Sequence, residues 1–331
     1  MRFFVKLANI PTLSVMKSKL ITILISTLCV FNFGFAQAKS TVPSYFSEKE
    51  FNSFFPQRNK FYSYASFSKA ISAMSFIKIK IEKRGDWIYK ITRIDKRNNK
   101  ETVIRQDKDW NETWAKAKPY STSTIDYADF GASKDNNVNK KELAAWFAHI
   151  AHETRNGMNN KYNDGLMLSH ELDTNANYVV ANVNYPAVAG KKYYGRGPIQ
   201  ISYNSNYGFA SDCIFGDKNI LLKNPNLVGK NAVTAFETAI YFWMTPQGAK
   251  PSPHDVITGK WKPTPAESQK GYKAGFGMTI NIVNGALECN KGAEMPAMKD
   301  RIGFYQYFLK KLNTTDANCY CDCAKMVPYP G

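Results

Sequence analysis

Between residues 44 and 75 aromatic and apolar side chains recur at helical intervals: Phe46, Phe51, Phe54 and Phe55, then Tyr62, Tyr64, Phe67, Ala70, Ile71 and Met74. Apolar positions three and four apart line one side of a helix, so this stretch predicts two short helices separated near Pro56. The period then changes. Ile77-Lys78-Ile79-Lys80-Ile81 alternates strictly, Arg84-Gly85-Asp86 offers a turn, Trp87-Ile88-Tyr89-Lys90-Ile91 alternates again, and Arg97-Asn98-Asn99 precedes Thr102-Val103-Ile104. Alternation puts the isoleucines on one face and the lysines on the other, which predicts a charged β-meander over 77–105, inserted in a mostly helical chain and packed on it through its apolar face. From Asn139 the pattern is helical: Leu143, Trp146, Phe147, Ile150 and Ala151 share a face, with Asn139 as N-cap and Gly157 as the stop. Residues 158–192 are rich in Asn and lack periodicity, a loop of a length that tends to carry function. A second strong helix is predicted over Asn231–Thr245 and a further one over Lys299–Leu312.

The first residues do not belong to this pattern. An apolar run from Leu20 to Phe35 follows Lys17 and Lys19 and precedes Ala36-Gln37-Ala38, the arrangement of a signal peptide over residues 1–38, with Met16 as an alternative start. The run falls short of the roughly 20 residues needed to cross a bilayer. A secreted protein with no membrane span is therefore expected, with residues 39–331 as one domain. The leader holds four basic residues and no acidic one, so the remainder carries 40 basic side chains against 27 acidic, a net charge of +13. Such a balance favours anionic cell surfaces. Nucleic acid is not an expected partner, because export removes the chain from it and no recognised binding motif is present.

Six cysteines are present, of which Cys29 lies in the leader, leaving Cys213, Cys289, Cys319, Cys321 and Cys323. Export permits disulfides. The last three crowd together, too close to pair easily with each other, so one of them is expected to bridge to Cys289 while Cys213 stays a buried free thiol. No second Cys or His pair stands at zinc-ligand spacing, so no metal is expected.

Chemistry is concentrated in two segments. Tyr193-Tyr194-Gly195-Arg196-Gly197-Pro198-Ile199-Gln200-Ile201-Ser202-Tyr203-Asn204 combines glycines, aromatics and amides in the manner of a sugar-cleft wall, and Ala151-His152-Glu153-Thr154 ends a helix with a carboxylate. Glycosidic bond cleavage needs a protonated acid beside the leaving oxygen and a second carboxylate. A helix C-terminus and burial against aromatics both favour the protonated form of Glu153. His149-x-x-His152-Glu153 is not a metalloprotease motif, which needs histidines at i and i+4 with the Glu between them.

These segments closely resemble the family 19 glycoside hydrolases, the plant-type chitinases and their bacterial relatives. The resemblance begins at Tyr45–Phe51, runs through Lys141–Thr154 and Tyr193–Asn204, and continues through Asn224–Val228, Ala239–Thr245, His254–Gly259, Asn281–Gly285 and Arg301–Tyr305. It implies an α+β, predominantly α-helical, lysozyme-like domain of two lobes with a central cleft, to which the short β-meander is extra. It implies Glu153 as general acid and Glu171, at the matching distance from Gln200, as general base; Asp164 and Asp173 are the only other acids in that loop. Ser202 matches a serine that holds the attacking water. His152, Tyr185, Tyr194, Gln200, Tyr203, Asn206, Ile282, Asn284 and Arg301 fall in the substrate-binding set, amides suiting acetamido groups because each offers donor and acceptor. Glu288 is the partner through which Arg301 organises the carboxylates. The resemblance also places a bridge from Cys289 to Cys319 or Cys321. Two positions depart from the pattern: Tyr185 precedes Pro186 where the family has tryptophan, and Arg155 stands for a threonine.

The activity implied is endo-acting cleavage of β-1,4 linkages in N-acetylglucosamine polymers, with inversion, by a monomer without cofactor acting on chitin or chitooligosaccharides. The alternatives are a hydrolase of peptidoglycan and, from another class, a non-catalytic chitin-binding protein on the same scaffold.

Overall fold

The computed structural model describes residues 46–157 and 162–329, so the leader expected over residues 1–38 lies outside the described residues. Helices α1 (Glu48–Phe54) and α2 (Tyr64–Met74) are those the aromatic spacing predicts. They are followed by β1 (Ile77–Arg84), β2 (Ile88–Asp95), β3 (Lys100–Gln106), a 3-10 turn at Lys108–Asn111, α3 (Thr113–Lys116) and β4 (Tyr120–Asp126). The helical remainder comprises α4 (Asn136–Thr154), α5 (Asn204–Phe215), α6 (Asn219–Lys223), α7 (Leu227–Lys230), α8 (Ala232–Met244), α9 (Pro253–Ile257), α10 (Pro265–Gln269), α11 (Phe276–Glu288) and α12 (Pro296–Lys311).

The sheet is antiparallel with strand order β3-β2-β1-β4. It is larger than the meander predicted over 77–105, because β4 pairs with the free edge of β1, Ile79 opposite Ile125. Nothing in Tyr120-Ser121-Thr122-Ser123-Thr124 alternates in hydropathy, and all five residues are exposed, so the strand forms through its ladder and through Ile125 alone. Ile77 and Ile79 are buried in the main core as the alternation requires.

Helix α4 organises the domain. Leu143 through Ala151 are buried without interruption, so the helix is enclosed on all sides and not merely on one stripe. Its N-cap is Asp135, which accepts from the Asn137 N–H at 2.8 Å; Asn139, the cap expected from sequence, lies one turn in and uses its amide on both the N–H and the carbonyl of Ser133. The helix ends at Thr154 and not at Gly157. There the loop closes it: the Met167 and Leu168 N–H groups donate to the Thr154 carbonyl at 3.0 and 2.9 Å, and the Leu166 N–H donates to its hydroxyl at 2.7 Å. Around α4, Phe67 stacks on Trp146 and on Phe51, and Phe147 meets Phe46, Phe55 and Phe308.

The C-terminal tail corrects the cysteine reading. Cys289 is bonded to Cys323, and Cys319 to Cys321. Chain direction selects Cys323: the Asn290 N–H donates to the Cys323 carbonyl at 3.0 Å, which sets the two residues side by side with Cα atoms 5.0 Å apart. Tyr320 takes a left-handed conformation, φ 39°, and the Cys319 and Cys321 Cα atoms lie 4.9 Å apart, so two cysteines expected to be too close to pair easily are bonded. Cys213 is free and buried, as expected.

Candidate active site

Four segments bring carboxylates and amides to one cavity of about 450 Å³. The end of α4 supplies Glu153, the loop after it Glu171 and Tyr178, the turn before α5 Gln200, Ser202 and Tyr203 with Asn206 following, and α11 Asn284, with Phe242, Val283 and Leu287 as apolar wall. A larger cavity of about 690 Å³ beside the end of α12 has only Asp316 and Lys310 as ionisable lining, and so lacks the paired carboxylates that acid–base work requires.

The turn is built for close approach. The Gly197 carbonyl accepts both the backbone and the side-chain N–H of Gln200, and Gln200 and Tyr203 are held at φ 50° and 70°, strained conformations of the kind that gather at functional sites. Gly195 lets the Gln200 side chain lie close, since a Cβ there would stand 2.9 Å from the Gln200 Oε1. Its N–H is also needed, because it donates to Glu171 Oε1 at 3.0 Å. The other oxygen of Glu171 accepts from the Tyr178 hydroxyl at 3.0 Å. Tyr178, in an aperiodic loop, gave no signal in sequence; it fixes the carboxylate's orientation and packs edge-on against Tyr203. The other loop acids do not reach the cavity. Asp164 is buried in a two-pronged pair with Arg155, and Asp173 is exposed and bonds the Asn175 N–H.

Glu153, part-buried at the end of α4, is held by a cation. The guanidinium of Arg301, on α12, donates to its Oε1 and, through Nε and Nη2, to both oxygens of Glu288. Arg301 is fully buried and absent from the cavity lining, and its guanidinium is engaged with carboxylates. Burial alone would push the Glu288 carboxyl up, but the Arg301 charge and hydrogen bonds, helped by His152 and by the Asn284 amide at 2.8 Å, hold it below its ordinary value. Burial and the adjacent Arg301 push the His149 imidazole well down, so it is neutral; its Nδ1 stands 3.1 Å from Arg301 Nη1 and its Nε2 2.9 Å from the Thr279 hydroxyl.

The preceding residue of α12 continues the clamp. Asp300 receives His152 Nδ1 at 2.7 Å and the guanidinium of Arg155, so the substitution of arginine for threonine adds a cation to this network. His152 thus faces Asp300 and is absent from the cavity lining. Ile282 is buried, and Tyr194 lies under the Arg196 guanidinium at 3.5 Å; neither lines the cavity. Tyr185 is also turned inward. Asn182 and Asn204 bind its backbone N–H and carbonyl at 2.9 and 2.7 Å, its ring stacks on Phe209, and its hydroxyl is buried without a hydrogen-bond partner, so it offers no stacking face to the cleft. Beside it, burial pushes the Asp212 carboxyl up to about 7.

Comparison with known proteins agrees with this geometry. A family model described as chitinase class I matches residues 97–323, well over half of the chain. The basic endochitinase of Vitis vinifera is 44% identical over 207 residues, which is 61% of this chain and 64% of that protein; chitinase 9 of Oryza sativa subsp. japonica is 41% identical over 206 residues, 60% of each. The chain therefore spans less than two thirds of the length of these relatives. Among solved structures, chitinase C from Streptomyces griseus HUT6037 superposes with a TM-score of 0.57 at 29% identity, over 84% of this chain and 97% of that one. A class IV chitinase from Zea mays gives 0.53 at 26%, over 84% and 98%.

Proposed function

Because the chain belongs to the family 19 glycoside hydrolases, we propose that it is an endo-acting hydrolase of β-1,4-linked N-acetylglucosamine polymers, chitin and its oligosaccharides. The observation that carries this reading is the convergence of Glu153, Glu171, Ser202 and three amide side chains on one cavity. Glu153 protonates the leaving oxygen. Its partner Arg301 is shared with Glu288, so the cluster holds two carboxylates against one cation. Glu288, the more buried of the two, keeps the negative charge. Glu171, oriented by Tyr178 and the Gly195 N–H, takes the proton from a water that Ser202 helps to hold, and the water attacks the sugar from the face opposite the leaving group. Gln200, Asn206 and Asn284 hold acetamido groups through their paired donors and acceptors. The protein reaches its polymer after export directed by residues 1–38.

A paired assay on colloidal chitin and on purified peptidoglycan tests the substrate. Chitin should be cleaved with internal bonds broken first, and Glu153→Gln should lose about 10²–10⁴-fold in turnover. Cleavage of peptidoglycan alone would transfer the reading to that polymer, and a fully active Glu153→Gln would remove the acid assignment.

A further inference from the structure

The far end of the sheet carries surface aromatics that the cleft does not use. After β3 the 3-10 turn and α3 fold back over the β1–β2 turn, and Ile88, Trp110 and Ala115 close a small core separate from the main one. Arg84 seals it, with its guanidinium 4.3 Å above the Trp110 ring and its Nη1 donating to the Trp110 carbonyl at 2.8 Å. The same fold leaves two tryptophans outside. Trp87 is 57% exposed and Trp114 46%, their ring centroids 5.9 Å apart and their planes inclined by 37°. Lys118 joins them, its ammonium 5.9 and 5.7 Å from the two rings. Its path requires Gly85, where the backbone is left-handed and a Cβ would stand 2.9 Å from the Lys118 Cδ. One tryptophan is thus buried to build the tip, and two are held in fixed positions in solvent.

We propose that Trp87, Trp114 and Lys118 form a docking platform, separate from the cleft, for an insoluble amino-sugar polymer that carries carboxylates. Adjacent indole rings present flat apolar surfaces that match the C–H faces of pyranose rings, and tryptophan is among the residues that concentrate binding energy. Charge selects an acidic polymer over a neutral one. Residues 77–119 hold 13 basic side chains against seven acidic, and an ammonium beside the paired rings attracts carboxylate. No residue of the sheet or of α3 lines the catalytic cavity, so docking and cleavage are separable.

Cosedimentation of the full-length exported protein with peptidoglycan sacculi tests this. The Trp87→Ala/Trp114→Ala double variant and Lys118→Glu should each reduce binding, the double variant about tenfold or more, with cleavage of soluble chitooligosaccharides unchanged. Trp87→Phe/Trp114→Phe keeps a stacking face and should retain binding, which separates loss of the platform from loss of the fold. Amidating the sacculus carboxylates should weaken binding of the wild type. Unchanged binding of the alanine variant, or wild-type binding indifferent to amidation, would overturn the proposal. So would tryptophan-dependent capture by phosphatidylglycerol vesicles at equal strength, which would make the platform a membrane contact. Because oligomer cleavage is read separately, failure of docking leaves the reading of the cleft intact.

Discussion

Replacing Arg301 with methionine removes a cation from a site that water does not reach. The guanidinium and Glu288 are both buried, and three contacts of 2.8 to 3.2 Å join them. Taking away one partner of a buried ion pair costs about 3–5 kcal/mol, because the other charge is left desolvated. The cost has a pH signature. In the wild type the Glu288 carboxyl is held below its ordinary value, so its contribution to stability is present above the unfolded value, roughly 4.3, and is lost as pH falls through the lower folded value. In Arg301→Met burial, opposed now by His152 and the Asn284 amide without the guanidinium, raises the carboxyl, so the penalty is full at neutral pH and shrinks as pH falls through that raised value. Chemical denaturation at pH 7 and pH 4 should show a gap of several kcal/mol that narrows at the lower pH. Arg301→Met/Glu288→Gln should recover much of the stability and none of the activity. A loss under about 1 kcal/mol at pH 7, or a gap indifferent to pH, would refute the account of this cluster.

Glu171→Gln should reduce turnover by about 10²–10⁴-fold, and proton NMR of fresh wild-type hydrolysate should show the α-anomer first; initial β product would mean retention and exclude attack by an activated water. Cys289→Ser/Cys323→Ser opens a cross-link between residues 34 apart and should cost about 4 kcal/mol by the chain-entropy estimate, measured by denaturant unfolding under oxidising conditions; a cost near zero would show that tail packing alone holds the C-terminus. Asp212 has its carboxyl raised to about 7, so the wild type loses stability as pH rises from the unfolded value through that range. Asp212→Asn should therefore stabilise the protein at pH 8 and have little effect at pH 4; the reverse order in thermal unfolding would contradict the burial argument.

What could be read from sequence followed the strength of the local signal. Helices α1, α2 and α8 announce themselves because their aromatics repeat with a helical period and their caps, Ser47, Ser63 and Asn231, are capable side chains. Helix α5 begins Asn-Ser-Asn-Tyr-Gly, a run with turn propensity, and forms because tertiary packing buries Tyr207, Ala210 and Cys213. Glu153, Glu171, Ser202, Gln200, Tyr203, Asn206 and Asn284 were named from their motifs and stand together around the cavity. Tyr185 and Ile282 are buried and absent from the cavity lining for a shared reason: a motif fixes a residue's neighbours along the chain, while burial depends on what the rest of the fold brings against it. Asp300 was missed because a lone aspartate on a helix carries no signal until its partner, the unexpected Arg155, lies opposite.

The tail has a consequence for biogenesis. Residues 319–329 lie along α11: the Phe276 and Gly277 N–H groups donate to the Cys319 and Tyr320 carbonyls, and Asn281 bonds the backbone of Val327 and Tyr329. Helix α11 carries Asn284 and Glu288, so late-synthesised residues of the chain brace the wall of the cleft and the partner of Arg301. A chain released before residue 323 would lack the cross-link to Cys289 and with it part of that brace.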